Sequence, residues 1–416
     1  MSKVLVIGCG NVGSVGLHKM AQFPETFSEI HVVGRTISKL EAVRASVKKK
    51  SKGKMDLRVH VGDVSDKKFF SKLLQDLKPK LMVNWGSPYD NLDVMDACLK
   101  YGVNYIDTAC YEEKDKYGFS YKLQLAKNEA FKKKGLLAIL GMGFDPGVTN
   151  IFCAYARDYI FDKVYAVDIL DCNGGSKDEK IKFAPNFDPE INLRELILPI
   201  RFWEGKKWQE KGRLIDEKAP HFEFNFPEAG KFDPYLMYHE EMETIPTHMP
   251  DLKRIRFWMT FSKTYLTYLR VLYNVGLTRI DAVDYNGCDV VPVKFLKAIL
   301  PKGEDFNSSY TGKTNIGNII SGVKNGKKKF VYIYNVCDHA EAYKETNGNA
   351  IGYTTAIPTV TCAKLVLERK WSGIGTKNSE DKSLDSKIFL EEMAKVGLTW
   401  KVKNLKDLPR ELKKNY

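Results

Sequence analysis

Three glycines carry the first piece of legible chemistry. Val4-Leu5-Val6-Ile7 runs straight into Gly8, Gly10 and Gly13, as a buried parallel strand does when it ends in a nucleotide-binding turn. In such a turn the first glycine allows the bend, the second lets backbone amides approach a pyrophosphate, and the third lets the next helix pack close. Asn11 and Val12 lie between them, at the start of that helix, whose N-terminus faces the anion. About twenty residues on, an NAD site presents a carboxylate to the ribose, whereas an Arg accommodates a 2′-phosphate. Here the chain reads Gly34-Arg35-Thr36, so NADP(H) is the expected cofactor, with Arg35 and Thr36 at its phosphate; the alternative for Arg35 is an ordinary surface arginine.

These residues need a sheet to hold them. Short apolar strands alternate with amphipathic helices: strands over 4–7, 30–33, 57–61, 81–84, 104–107 and 136–140, helices over 12–22, 67–77, 91–101 and about 119–134. Six strands separated by helices predict a doubly wound parallel sheet, a Rossmann-type α/β fold with ligands at the strand ends. Those ends supply further cofactor candidates: Asp63 and Val64, Asn84, Ser87 and Pro88, Thr108 and Ala109, and Gly143, Asp145 and Pro146. Asp63 and Asp145 have a competing reading as helix caps.

Beyond Val148 the alternation fails. Strand-like segments at 165–170, 197–202, 222–226, 255–261 and 329–336 follow one another without regular helices, which predicts a mainly antiparallel α+β second domain. Helices are expected again at 358–368 and 389–395. The division is therefore an NADP-binding domain over 1–148, completed by C-terminal helices in about 352–416, and a substrate-binding domain over 149–351.

Composition excludes several classes. Eight cysteines stand far apart with no CxxC pair, which argues against a disulfide scaffold or zinc site and for reduced thiols in a cytoplasm. The first strand begins at once, leaving no room for a targeting segment. The apolar run Gly135–Gly143 is too short for a membrane span. The 65 basic and 52 acidic residues leave a net charge of +13. The lysines, however, fall in separate triplets (48–50, 132–134, 327–329) without interleaved aromatics, a solvated surface rather than a nucleic-acid patch.

The glycine turn together with GMGFDPGVTN, Gly141–Asn150, resembles the saccharopine dehydrogenase (reductase-type) family. The likeness continues through the antiparallel middle to YTTAIP, Tyr353–Pro358. DCNGG (Asp171–Gly175) with FAPNFDPEINLRE (Phe183–Glu195), RFWMTFSKTYL (Arg256–Leu266) and the stretches from Leu300 to Tyr343 resemble the branch that makes carboxyspermidine or carboxynorspermidine. That resemblance implies a homodimer that condenses L-aspartate β-semialdehyde with a diamine, putrescine or 1,3-diaminopropane, and reduces the imine with NADPH in polyamine biosynthesis.

Such a reaction needs an anionic pocket for the distal ammonium, a cation for the amino-acid carboxylate, and a proton donor for water loss. For the ammonium the candidates are Glu240 and Glu241, with Glu195 near Trp203; the bland alternative is a solvated acidic loop. For the carboxylate Arg194 is the natural fork, with Asn173, Asn186 and Asn192 beside it, although asparagines also build turns. For proton transfer the expectation is His339 oriented by Asp338, against a structural histidine. No metal is expected. Two other readings stand beside this one: a saccharopine-type reductase of lysine metabolism, and a non-catalytic NADP-binding regulator.

Overall fold

A computed structural model describes residues 2–176, 183–185 and 187–414. Its first sheet is built from β1 (Lys3–Ile7), β2 (Glu29–Gly34), β3 (Arg58–Val61), β4 (Leu81–Asn84), β5 (Asn104–Asp107) and β6 (Leu137–Leu140). The helices between and after them are α1 (Asn11–Met20), α2 (Ile37–Lys50), α3 (Lys67–Leu77), α4 (Asn91–Tyr101), the short α5 (Lys122–Leu125) and α6 (Asn128–Lys133), and α7 (Val148–Tyr155). All ladders are parallel, and a seventh strand, β18 (Gly375–Asn378), joins beside β6, giving the order β18-β6-β5-β4-β1-β2-β3. The order reverses between β1 and β4, so the crevice where a dinucleotide lies opens above their carboxyl ends. This is the doubly wound α/β fold expected from the strand spacing.

The second sheet is mixed. Its elements are β7 (Lys163–Cys172), α8 (Pro189–Leu196), β8 (Pro199–Glu204), β9 (Lys207–Arg213), the hairpin β10 (Phe224–Phe226) and β11 (Gly230–Phe232), β12 (Pro234–Met237), α9 (Ile245–His248) and β13 (Arg254–Thr260). There follow α10 (Lys263–Asn274), the hairpin β14 (Val283–Tyr285) and β15 (Cys288–Val290), α11 (Pro292–Ile299), β16 (Lys313–Lys324) and β17 (Lys327–Asp338). The order is β19-β17-β16-β7-β13-β8-β9, with β12 on β13 and β19 spanning Trp400–Leu405; only the β7–β13 pairing is parallel.

Much of the last fifth of the chain, from His339, returns to the first domain. After α12 (His339–Thr346), α13 (Ala350–Leu367) packs on α1, and α14 (Ser386–Val396) packs on α13. α13 is the one helix among the described residues with the length and apolarity of a membrane span, yet 78% of that window is buried. It is a core helix, covered by α1, α14 and strands of both sheets. The segment 352–416 is divided: β18 extends the first sheet, whereas β19 extends the second.

Candidate active site

The glycine turn has the geometry of an anion cradle. Gly8 has φ +93°, and a Cβ there would lie 2.7 Å from the Trp85 carbonyl oxygen. At Gly13 a Cβ would lie 2.3 Å from the Gly8 oxygen, so only glycine lets α1 approach β1 this closely. Above Gly10 there is open space, with nothing within 4 Å of a Cβ position. No side chain caps α1, so its leading N–H groups, which have no partners within the helix, point into that space. Val12 packs on the core. Asn11 instead ties the turn to the far end of the chain, donating to Asn349 (3.3 Å) and accepting from Asn307 (3.1 Å). These two asparagines were not foreseen, because they lie some 300 residues away.

Arg35 projects from the end of β2 with its side chain 80% exposed, its nearest carboxylate being Asp63 at 3.9 Å. Thr36 precedes α2 in extended conformation. An exposed guanidinium beside the turn fits a 2′-phosphate, and Arg35→Asp is expected to remove the preference for NADPH over NADH; an unchanged ratio of Michaelis constants would refute the assignment. Asp63 accepts hydrogen bonds from the Ser65 amide and hydroxyl; the cap of α3 is Asp66. Val64 packs beneath.

Other strand-end candidates serve the scaffold. Asn84 is buried, donating to Asn91 (2.9 Å) and Tyr105 (3.2 Å). Ser87 accepts from the Tyr89 amide and Pro88 opens a 3₁₀ turn. The Ala109 carbonyl accepts from Asn91. Gly143 lies against the Thr108 and Pro146 carbonyls, and the Asp145–Pro146 peptide is cis.

Next to this crevice lies a narrow cleft lined by Glu112, Phe119, Arg194, Glu195 and Glu240. Asp188-Pro189 starts α8, the Asp side chain accepting from the Glu190 and Ile191 amides, as an N-cap with proline at the first position should. This helix delivers Asn192, Arg194 and Glu195. Asn192 is buried and accepts from the Tyr265 hydroxyl at 2.9 Å. His239, in extended chain after β12, sets its ring between two carboxylates: Nε2 lies 3.1 Å from Glu195, and Nδ1 bonds Glu241. Phe257 stacks on the ring at 4.0 Å. Burial pulls the imidazole pKa down, but Glu241 and Glu195 outweigh it and hold it well above the usual value, which favours the imidazolium form of His239. Glu241 is wholly buried and also accepts from Thr149. Glu240 accepts from the Cys110 amide at 2.6 Å; burial raises its carboxyl to about 8, as it does that of Glu112. The carboxyls of Asp145 and Asp171 interact electrostatically with each other, and Asn173 donates to Asp171 at 2.9 Å.

Several expectations need correction. Arg194 is not free for a substrate carboxylate: its terminal nitrogens donate to the Glu113, Lys114 and Lys116 carbonyls, its Nε lies 3.4 Å from Glu112, and Tyr89 flanks its face. It staples the loop after β5 over the cleft. Trp203 lies on β8, edge-on to Trp208; the aromatic in the cleft is Phe119, stacked on Tyr238 at 4.7 Å. Asp338 does not orient His339 but caps α12, accepting from the Ala340 and Glu341 amides. His339 is buried, its Nε2 donating to the Gly174 carbonyl at 2.9 Å and its Nδ1 accepting from the Ala350 amide at 3.2 Å. A proton held that way is structural. Asn186 lies outside the described residues. Glu112, Phe119, Asp171 and His239 were missed as site residues, although Asp171 opens the DCNGG segment and His239 precedes the acidic run.

Residues 4–139 match the model of the saccharopine dehydrogenase NADP binding domain, and residues 143–398 that of the saccharopine dehydrogenase C-terminal domain. Carboxyaminopropylagmatine dehydrogenase of Synechocystis is 43% identical over 96% of this chain and 97% of its own. Carboxynorspermidine synthase of Vibrio cholerae is 37% identical, covering 97% of both chains. Among solved structures, saccharopine dehydrogenase (L-Glu forming) of Saccharomyces cerevisiae superposes with a TM-score of 0.72 at 13% identity, over 97% of this chain and 100% of its own. The chain is thus an NADP(H)-dependent oxidoreductase and belongs to the saccharopine dehydrogenase family.

Proposed function

We propose that the enzyme condenses L-aspartate β-semialdehyde with a diamine, putrescine or 1,3-diaminopropane, and reduces the imine to carboxyspermidine or carboxynorspermidine. The observation that carries this reading is the cleft walled by Glu112, Glu195 and Glu240 beside the dinucleotide crevice. An ammonium entering it meets desolvated carboxyls, and its charge favours their ionised forms against the burial that raises Glu112 and Glu240 to about 8. A saccharopine-type reaction would instead require cations for two amino-acid carboxylates, and the terminal nitrogens of the cleft's guanidinium, Arg194, are engaged by backbone carbonyls. A purely regulatory NADP binder would have no use for the carboxylates.

A second amine is favoured by a separate observation. The Phe119–Tyr238 stack borders the carboxylates, and a planar guanidinium pairs with both kinds of group. Agmatine, contained in the name of the Synechocystis relative, ends in such a group. Mass spectrometry of the product distinguishes these readings: it should carry the amine and the semialdehyde joined with loss of water and gain of two hydrogens. A product built on glutamate would overturn both.

The domain limits of 1–148 with 352–416, and 149–351, remain our division of labour between cofactor and substrate. We also propose a homodimer in the cytoplasm. The lack of any disulfide among the described residues supports a reducing compartment. Tyr268 and Val271 on α10, Val275 just after it, and Phe295 and Ile299 on α11 are exposed apolar side chains, of the kind a second copy would cover. Val271→Glu combined with Phe295→Glu should halve the mass measured by light scattering; a wild-type monomer would refute the dimer.

A further inference from the structure

The reaction proposed above needs a proton donor, and His339 is not available for it. The described structure offers another group at the carboxyl end of the first sheet. Asp145 lies in the loop that leaves β6, at the carboxyl end of the first sheet, partly exposed. Asp171, at the end of β7, is 2% exposed. The two carboxyls act on each other as neighbours, and each contributes one buried oxygen, Asp145 Oδ2 and Asp171 Oδ1, that no N–H or hydroxyl reaches. Two bare carboxylates repel each other there, whereas one proton between them satisfies both oxygens. Asn173 donates to the remaining face of Asp171 and holds it in place.

We propose, building on the functional reading above, that Asp145 and Asp171 hold one proton between them and deliver it to the carbinolamine hydroxyl. The sequence of bonds is as follows. The amine enters as an ammonium, loses a proton, and its nitrogen attacks the aldehyde carbon; the aldehyde oxygen becomes a hydroxyl. The shared proton then passes to that hydroxyl, the C–O bond breaks, water leaves, and the nitrogen lone pair closes a C=N iminium. Bound NADPH supplies the hydride that this carbon accepts. The carboxyl pair, left doubly ionised beside a cation, regains its proton from the next ammonium or from water. One proton per turnover is drawn from solvent.

The surroundings suit a retained proton. Burial, the mutual repulsion of the two carboxyls and Glu241 raise Asp145; burial raises Asp171. The His239 imidazolium opposes both shifts, and it is itself flanked by Glu241 and, from α8, Glu195. Thr149 of α7 donates to Glu241. Because the donor form is the protonated one, turnover should be lost as pH rises through the pair's titration.

The test compares wild type, Asp145→Asn and Asp171→Asn in kcat, thermal unfolding, NADPH affinity by fluorescence, and the primary isotope effect with NADPH deuterated at the transferred position. Loss of a general acid should lower kcat by about 100-fold or more, with folding and NADPH affinity kept. The isotope effect should shrink towards unity, since dehydration rather than hydride transfer then limits the rate. Two folded variants with near wild-type kcat, or with low kcat and an undiminished isotope effect, would overturn the role. Failure of the functional reading shows separately, as wild-type enzyme that consumes no NADPH with any amine.

Discussion

Gly13→Val is expected to abolish useful NADPH binding, while Gly10→Ala should weaken it with no loss of thermal stability. The two positions differ in what surrounds them. At Gly13 the first added carbon would stand 2.3 Å from a backbone oxygen of the same turn, which has no rotamer by which to yield. α1 must then move away from β1, carrying its N-terminal amides off the phosphate position. Overpacking of this kind costs up to about 3 kcal/mol, roughly two decades in Kd. At Gly10 a methyl group meets nothing within 4 Å and the backbone, at φ −67°, suits any residue. That methyl fills the space a pyrophosphate would occupy. Fluorescence titration with NADPH alongside thermal unfolding separates a scaffold glycine from a ligand glycine.

Glu195→Gln and Glu240→Gln should each raise the Michaelis constant for the amine strongly and leave that for NADPH unchanged. A charged pair formed out of water typically loses 2–5 kcal/mol when one partner is neutralised, so a change on the order of 100-fold is expected. Glu241→Gln should behave differently. Glu241 is wholly buried and bonded to His239 and Thr149, so its loss strips the imidazolium of a partner and strikes folding before substrate affinity. Equal effects of all three substitutions on both Michaelis constants would contradict an ammonium site in the cleft.

Much of the parallel sheet was legible because each strand is short, apolar and followed by a turn. The boundaries of β4, α3, α4 and β5 fall where the pattern predicts, residue for residue. The helix expected over 119–134 is instead two short pieces, α5 and α6. β18 escaped notice because four residues at a sheet edge carry no periodicity, and β19 because its residues are largely exposed. α13 was begun too late. Pro358 usually marks a helix start, yet here it sits inside the helix, whose cap is Asn349. Glycines at 317 and 322 obscured β16, although each is required by an adjoining strand's backbone, at 2.2 and 2.1 Å from a Cβ position.

At the site, residue type was readable and partnership was not. The acidic run before the short turn at Glu240 stood out by composition. That His239 rather than His339 sits between carboxylates depends on Glu195, 44 positions away, arriving from α8. Asp338 looked like an orienter because it adjoins a histidine, the same position that makes it a helix cap. Arg194 looked free because its acceptors are carbonyls in a loop some 80 residues upstream.

The most direct measurement is absorbance at the NADPH band with purified enzyme and aspartate β-semialdehyde, adding putrescine, 1,3-diaminopropane, agmatine or glutamate in turn. The expected result is rapid loss of NADPH with at least one of the three cationic amines and none with glutamate. Consumption with glutamate alone, or with no amine at all, would contradict a reductive condensation in an acidic cleft.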